Sequence, residues 1–579
     1  MKAGKILSAM LAACAVWLPR QMIAEGTWTA LANTAPGGVE TMLLLPDGTV
    51  MAQNGGGTGW YKLTPDSTGS YVSGTWTNLQ SMHYPRLYYS SDVLPDGRVF
   101  VAGAEYGTGT TNAEIYNPES DSCSPVSIPS GIINENNTVD PIHHNNSAGF
   151  IDSGSALLSN GKILITPVAA ANGGETVTYD PVANTWGAAY LQNGGNEDEA
   201  CLVKLPDDSI LVVDSGGTTS ERYLPSSNTW VNDSNVPVAL YDSYGTEQGP
   251  GLMLPNGKVF FIGSTPNTAI YTPSGSASPG SWTVGPSMGT LGAPDAPAAM
   301  MNNGKILCAL SPTPYRLGGT NYVFTTPSYF YEYVYSAGSV GAFTQIHAPG
   351  GGYTRSEVTY NDRMLVLPNG QVLFTAGGNQ LYVYQPDGIP IVAGQPNIQK
   401  VSWNTDGSLH VTGTLFNGIS TGAAYGDDAQ MDSNYPLVRF ISGANVTYGR
   451  TYNWSRTSVQ TGGAVVSTDV NVPSGILDFP GSYTLQVVAN GNPSPAVTFY
   501  SPAWVNFAYS SLINFYFGWY VYPYNTFGYA SSSNIGAIDG VVTNGTVAIQ
   551  STSTVDHEHI TISKPMTIIS FNGPSTIGE

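Results

Sequence analysis

At 579 residues the chain is longer than one ordinary core can serve, so two or three domains are expected. Charged residues are only 10% of the chain, against 68 Gly and 35 Tyr, a mixture that suits many short strands joined by tight turns and suits helices poorly. The formal charge of −21 argues against a nucleic-acid partner, which needs a basic face, and disfavours anionic membrane surfaces for the same reason.

Residues 1–24 read as an export signal: Lys2 and Lys5 form a short basic region, Ile6 to Leu18 is apolar, and a cleavage point follows Ala24. The run is too short for a permanent anchor, and no other segment is apolar enough to cross a bilayer, so no transmembrane segment is expected. A secreted, periplasmic or cell-surface location follows. Leu11-Ala12-Ala13-Cys14 also resembles a lipobox, which would make the chain a lipoprotein modified at Cys14. The other cysteines, Cys123, Cys201 and Cys308, form no CxxC pair, which excludes a zinc knuckle or redox motif; one disulfide or buried free thiols remain.

From residue 25 to 390 a turn signal followed by a β-branched run recurs seven times. It appears as Leu-Pro-Asp-Gly, Leu-Pro-Asn-Gly or a shorter variant whose fourth residue is Gly48, Gly97, Gly161, Asp208, Gly257, Gly304 and Gly370. The spacings are 49, 64, 47, 49, 47 and 66, the period of a Kelch-type β-propeller with two insertions. Asp-Gly and Asn-Gly tolerate the positive φ of a tight hairpin. Each unit then repeats a buried strand such as Val99-Phe-Val-Ala, a Tyr strand ending at Pro such as Ile115-Tyr-Asn-Pro, and in several units a Trp strand (Trp76, Trp186, Trp230, Trp282). The seventh unit ends at Tyr384-Gln-Pro without its Trp strand, and Thr27-Trp28-Thr-Ala supplies one from the other end of the chain. That strand is expected to close the ring and so remove exposed sheet edges.

Over 391–505 the pattern changes to alternating strands, as in Leu409-His-Val-Thr and Tyr483-Thr-Leu-Gln-Val-Val, which predicts an immunoglobulin-like sandwich. Residues 506–579 begin with an aromatic-rich stretch through Tyr529 and end in short β-branched runs that resemble the coils of a parallel β-helix. A single coil cannot bury its own apolar face, so this tail must dock or be the remnant of a longer repeat. The predicted class is therefore all-β: a seven-bladed propeller, an immunoglobulin-like sandwich and a short β-helix-like tail.

The order of propeller and sandwich, with Tyr425-Gly-Asp-Asp-Ala-Gln-Met, Asn434-Tyr-Pro-Leu-Val-Arg and Tyr448-Gly-Arg-Thr-Tyr-Asn-Trp, resembles the galactose oxidase and glyoxal oxidase group and its early-set domain. The resemblance covers about residues 26–505. It implies oxidation of a primary alcohol or aldehyde with reduction of oxygen to peroxide, at one copper held by two Tyr and two His, with a Cys thioether-linked to one Tyr. Carried over residue by residue, it implies that Tyr88 keeps the radical Tyr, and that Tyr360 keeps the second Tyr while Asn361 replaces a His. Tyr452 then replaces the other His, and Val39 falls where the family has Cys. No Cys exists between residues 15 and 122. Copper(II) prefers imidazole, and phenols titrate near pH 10, so phenols alone are a poor substitute and copper-radical catalysis is expected to be lost.

The implied ligand position lies nine residues before each turn residue. The same offset in the other units gives Asp152, Glu199, Gln248 (beside Glu247) and Asp295, an acidic ring with Tyr88, Tyr360 and Asn361 around the channel mouth. Such a ring could hydrogen-bond sugar hydroxyls or hold calcium, whereas the plainer reading is that polar residues cap the inner strands. His143-His144 with Asp140, Asp427-Asp428, the pair His557 and His559, and the aromatics from Trp504 read more simply as connection, turn, strand edge and packing than as metal or sugar sites. Nucleophile-elbow, phosphate-loop, dinucleotide and zinc-protease motifs are absent. The expectation is an exported binding protein for a glycan or cell-surface ligand, with no cofactor required. A copper-dependent alcohol or aldehyde oxidase with rearranged ligands, a hydrolase using the acidic ring and a structural cell-surface scaffold are the alternatives.

Overall fold

A computed structural model describes residues 25–133, 138–139, 146–147, 149–151, 153–166, 175–187, 190–191, 200–244, 247–318, 322–424, 432–477, 482–505, 541, 543–550, 562, 564–571 and 573–574. The leader with Cys14, the ring positions Asp152 and Glu199, Asp140 with His143-His144, Asp427-Asp428, His557, His559 and most of the aromatic stretch lie outside these residues.

The described chain is all-β, with one helical turn at Ser474–Leu477 and two short 3-10 segments. Its first part is a propeller-like arrangement of antiparallel sheets, each running outward from an inner strand. Ser90–Val93, Val99–Ala102, Ala113–Asn117 and Ser122–Val126 make the sheet of the second repeat unit in that order. Every residue of its two inner strands is buried, whereas its outermost strand has none buried. Inner strands of successive units pack side by side around an axis, Val39–Leu44 beside both Ser90–Val93 and Arg363–Val366. Being covered on both faces, the second strands, such as Val99–Ala102 and Val259–Ile262, are apolar throughout rather than alternating, whereas the inner strands also bury polar residues such as Ser90, Ser91 and Asp92.

The recurring Tyr and Trp have a shared physical cause. Trp186 pairs across the ladder with Tyr179, Trp230 with Tyr223, Trp282 with Tyr271 and Trp28 with Tyr384. Their ring centroids lie 4.8, 5.5, 4.9 and 4.8 Å apart. Each indole N–H then reaches the preceding unit: Trp186 to the Ser127 carbonyl at 2.9 Å, Trp230 to Thr176 Oγ1 at 2.9 Å, and Trp282 to Ser220 Oγ at 3.2 Å. Trp28 donates to the His347 carbonyl at 2.8 Å. The repeat therefore conserves a staple between neighbouring sheets. Strand Thr27–Ala30 pairs antiparallel with Tyr382–Gln385 of the last repeat, as the missing Trp strand required.

All seven turn residues adopt positive φ, from 69° at Asp208 to 87° at Gly370. Asp208 is the non-glycine among them, and its carboxylate is held by Arg456 Nη2 at 2.6 Å and by Ser458 Oγ. These partners belong to a second β unit, from Asn397–Trp403 to Val497–Tyr500, whose core includes Leu409, Val411, Phe440, Val487 and Phe499. This unit docks on the turns. Tyr435 Oη donates to the Leu44 carbonyl, Arg450 Nη2 to that of Asp96 at 2.6 Å, Thr457 Oγ1 to that of Leu158 and Gln460 Nε2 to that of Leu254 at 2.8 Å. Asn302 Nδ2 reaches the Gly491 carbonyl at 3.3 Å, and Gly491 abuts Gly370. The turn end of the propeller is thus covered.

One segment of the second unit goes further: Ala423 and Ala424 pair with Ala299 and Ala298 of an inner strand, and Ser433 N donates to the Thr421 carbonyl at 2.7 Å. In the tail, Ala503–Val505, Thr546–Gln550 and Thr567–Phe571 stack as a parallel ladder. No helix among the described residues is long and apolar enough to cross a membrane.

Candidate functional site at the channel mouth

The end of the axis opposite the turns is the one where the inner strands begin. Each inner strand runs from this mouth toward its turn, so the residues preceding it and the loops joining units line the opening. Tyr88 and Asp295 both sit nine residues before their turn residue, and both hold left-handed φ, 53° and 42°. Non-glycine residues pay to adopt this conformation, and such outliers concentrate where a side chain must be aimed.

The side chains form a continuous wall. The Arg363 guanidinium lies over the Tyr88 ring at 5.5 Å and donates from Nη1 to the Tyr360 carbonyl. Tyr360, in the 3-10 turn Thr359–Asn361, packs edge-on against Phe324 at 4.8 Å, and Phe324 packs edge-on against Tyr322 at 4.8 Å. Tyr322 Oη donates to Asp242 Oδ2 at 3.0 Å. Burial, then the charges of Glu247, Asp242 and Asp295, push the Tyr322 phenol far above its ordinary value, so it stays a protonated donor amid three carboxylates. Asp295 N donates to the Gln248 carbonyl at 3.1 Å, and Gln248 Nε2 to the Val213 carbonyl at 2.8 Å. Around this wall the rim exposes Tyr106, Tyr244, Tyr315 and Leu317, with Arg316 Nη2 bonded to the Tyr244 carbonyl at 3.1 Å.

The structure therefore joins Tyr88, Glu247, Gln248, Asp295 and Tyr360, with Asn361 in the same turn as Tyr360. Two other positions fall elsewhere. Val39 is fully buried, its N–H bonded to the Gly378 carbonyl at 3.1 Å, and is a packing residue. Tyr452 ends strand Asn445–Tyr452 of the second unit, under the Arg450 guanidinium at 5.5 Å. Because Arg450 grips the Asp96 turn, Tyr452 stands on the turn side, at the far end of the inner strand from Tyr88. Tyr322, Phe324, Asp242 and Arg363 were missed by the nine-residue offset. The 66-residue spacing before Gly370 was the available signal for Tyr322 and Phe324, since an insertion there had to go somewhere.

The copper that the resemblance implies does not fit these residues. The described histidines are engaged elsewhere: His83 with Glu114, His347 with Glu25 and His410 with Asp469. Cys201 and Cys308 are buried within the sheets, and Cys123 lies on the outer strand Ser122–Val126. Among the described residues, the wall offers phenols, carboxylates and amides.

No family model and no curated protein matches the chain. Solved structures similar to it include a fungal alcohol oxidase of the AA5 family in complex with copper, at 17% identity and a TM-score of 0.45, covering 83% of this chain and 99% of that one. A streptogramin B lyase is 13% identical with a TM-score of 0.41, covering 63% of this chain and 98% of the other. Virginiamycin B lyase from Staphylococcus aureus is 11% identical with a TM-score of 0.37, over 62% and 99%. At these scores the likenesses carry no argument about activity.

Proposed function

We propose that this chain is an exported, seven-bladed propeller with an immunoglobulin-like unit on its turn face, and that its open mouth binds a glycan. The observation that carries the reading is the pairing of one protonated phenol, Tyr322, with the carboxylates Asp242, Glu247 and Asp295, beneath a rim of exposed tyrosines. Sugar hydroxyls donate to carboxylates and accept from phenols, while the C–H faces of a pyranose stack on aromatic rings. A concave site needs few convergent polar groups to fix such a ligand. Copper-radical catalysis is lost in this reading, because no imidazole or thiol stands with Tyr88 and Tyr360 among the described residues.

A glycan array with the purified chain, followed by Glu247→Gln and Asp295→Asn, tests this. Binding to a defined glycan that weakens about tenfold or more in either variant supports it, the loss of one good charged hydrogen bond being about 1.5–3 kcal/mol. Binding to no glycan, or variants indistinguishable from the parent, refutes it. Copper content after Cu(II) loading and desalting is the companion measurement: one retained copper per chain, with peroxide release from a primary alcohol, would restore the oxidase reading.

A further inference from the structure

Away from the mouth, three side chains from separate segments converge where the first and second units meet. His83 comes from the connection after strand Thr75–Leu79, Glu114 from strand Ala113–Asn117 and Cys123 from strand Ser122–Val126. Their donor atoms all lie within 4.8 Å of one another, the one such grouping of three among the described residues. Glu114 Oε2 is the centre, 2.6 Å from His83 Nδ1 and 3.2 Å from Cys123 Sγ. We propose that His83, Glu114 and Cys123 form a binding site for zinc(II) or a similar thiophilic divalent cation.

The donor set is the argument. Imidazole nitrogen, carboxylate oxygen and a thiol are the three ligand types zinc takes, and three protein ligands leave the fourth tetrahedral position to water. The carboxylate is already aimed. Arg86 Nη2 donates to its other oxygen, Oε1, at 2.9 Å, and Arg86 is itself fixed by the carbonyls of Gly103, Gly109 and Asn112 at 2.6, 3.0 and 2.9 Å. An outer partner that orients a ligating carboxylate is what metal sites require. The backbone N–H of His83 also donates to Oε2 at 2.9 Å, which pins the connecting loop. Metal entry requires the hydrogen-bonded spacings to open to about 3.3 Å for N and O and about 3.6 Å for S and O, the edges set by bonds near 2.0–2.3 Å. The His83 side chain is 50% exposed and can make the first movement, and the part-exposed Cys123 the second, whereas Glu114 is fully buried and stays put. The open coordination position therefore faces solvent on the His83 side.

Cobalt(II) substitution reads the site directly. The full-length chain, reduced and stripped of metal, should take up one cobalt with a thiolate-to-metal charge-transfer band and tetrahedral d–d bands, both abolished by zinc. Cys123→Ser should lose the charge-transfer band. His83→Ala, at a half-exposed side chain, should weaken zinc by about tenfold or more; because it also removes the 2.6 Å bond to the buried Glu114, zinc affinity and not the melting temperature is the readout. A charge-transfer band that persists in Cys123→Ser, no band in the parent chain, or unaltered zinc affinity in His83→Ala overturns the assignment. Should Cys123→Ser fail to fold, the His83 variant decides.

Discussion

Replacing Asp92 by Asn should stabilise the protein above neutral pH and leave it unchanged near pH 4. Asp92 lies in the inner strand Ser90–Val93 and is 3% exposed. It faces an axial cavity of about 10 Å³ that it shares with Ser155, Lys204, Thr421 and Asp432, room for one water. Burial pushes its carboxyl up to about 7, against the opposing help of the Ser155 hydroxyl, which donates at 2.7 Å. Burial likewise raises Asp432 to about 6 and lowers Lys204, whose Nζ has no hydrogen-bond partner among the described residues. The unfolded chain releases the Asp92 proton near 3.8, so between there and about 7 the folded state binds more protons than the unfolded one. Stability from this group is complete below pH 4, declines as pH rises and is lost once pH passes about 7. At about 1.4 kcal/mol per unit, the displacement amounts to at most about 4 kcal/mol, and Asn removes it while keeping a hydrogen-bonding amide of the same shape. Differential scanning calorimetry at pH 5, 6.5 and 8 and one scan rate is the assay, because a chain of this size is apt to unfold irreversibly. The Asp92→Asn melting temperature should exceed that of the parent by a widening margin toward pH 8. Two curves that stay parallel across that range would refute the reasoning, since the self-repulsion of a −21 chain is common to both.

Trp28→Ala should cost about 2–4 kcal/mol, because it removes ring contacts with Phe330, Phe374 and Tyr384 and the indole bond to His347. Early protease cleavage near strand Thr27–Ala30 and a lower melting temperature would show it; unchanged resistance would mean that the strand does not hold the array together. Tyr435→Phe, at a buried residue whose hydroxyl meets the Leu44 carbonyl, should cost about 1 kcal/mol and loosen the second unit from the turn face. Faster amide exchange on both sides of that contact is the measurement, and exchange identical to the parent would count against docking through this bond.

Much of the fold was legible because its determinants are local. A turn that needs positive φ asks for Gly, or for Asp208 with a carboxylate to anchor, and a strand sandwiched between sheets asks for an unbroken apolar run. Tyr and Trp recur because each unit must staple itself to the one before. The absence of a Trp strand after Tyr384 pointed to Trp28 for the same reason. These constraints repeat with the unit, so a period of about 48 residues exposes them.

The site was legible only in part. A fixed offset found Tyr88, Gln248 and Asp295, since every inner strand begins at the same height. It could not find Tyr322, whose position depends on an irregular insertion folding over the mouth, nor Asp242, held by that phenol. The motif matches Tyr452 to the family's second His, yet the docking direction of the second unit puts it at the far end of the inner strand from Tyr88, against the turn that Arg450 holds. The cluster of His83, Glu114 and Cys123 had no spacing to betray it, because its ligands come from three segments brought together by one sheet boundary. Composition and periodicity by themselves determined the strand content, the repeated units, their turns and the closing strand, all of which follow from interactions a few residues long or repeated at a constant interval. Which end of the axis the second unit covers, and which side chains meet at the other, only the tertiary structure decided, because these depend on single contacts between residues hundreds of positions apart.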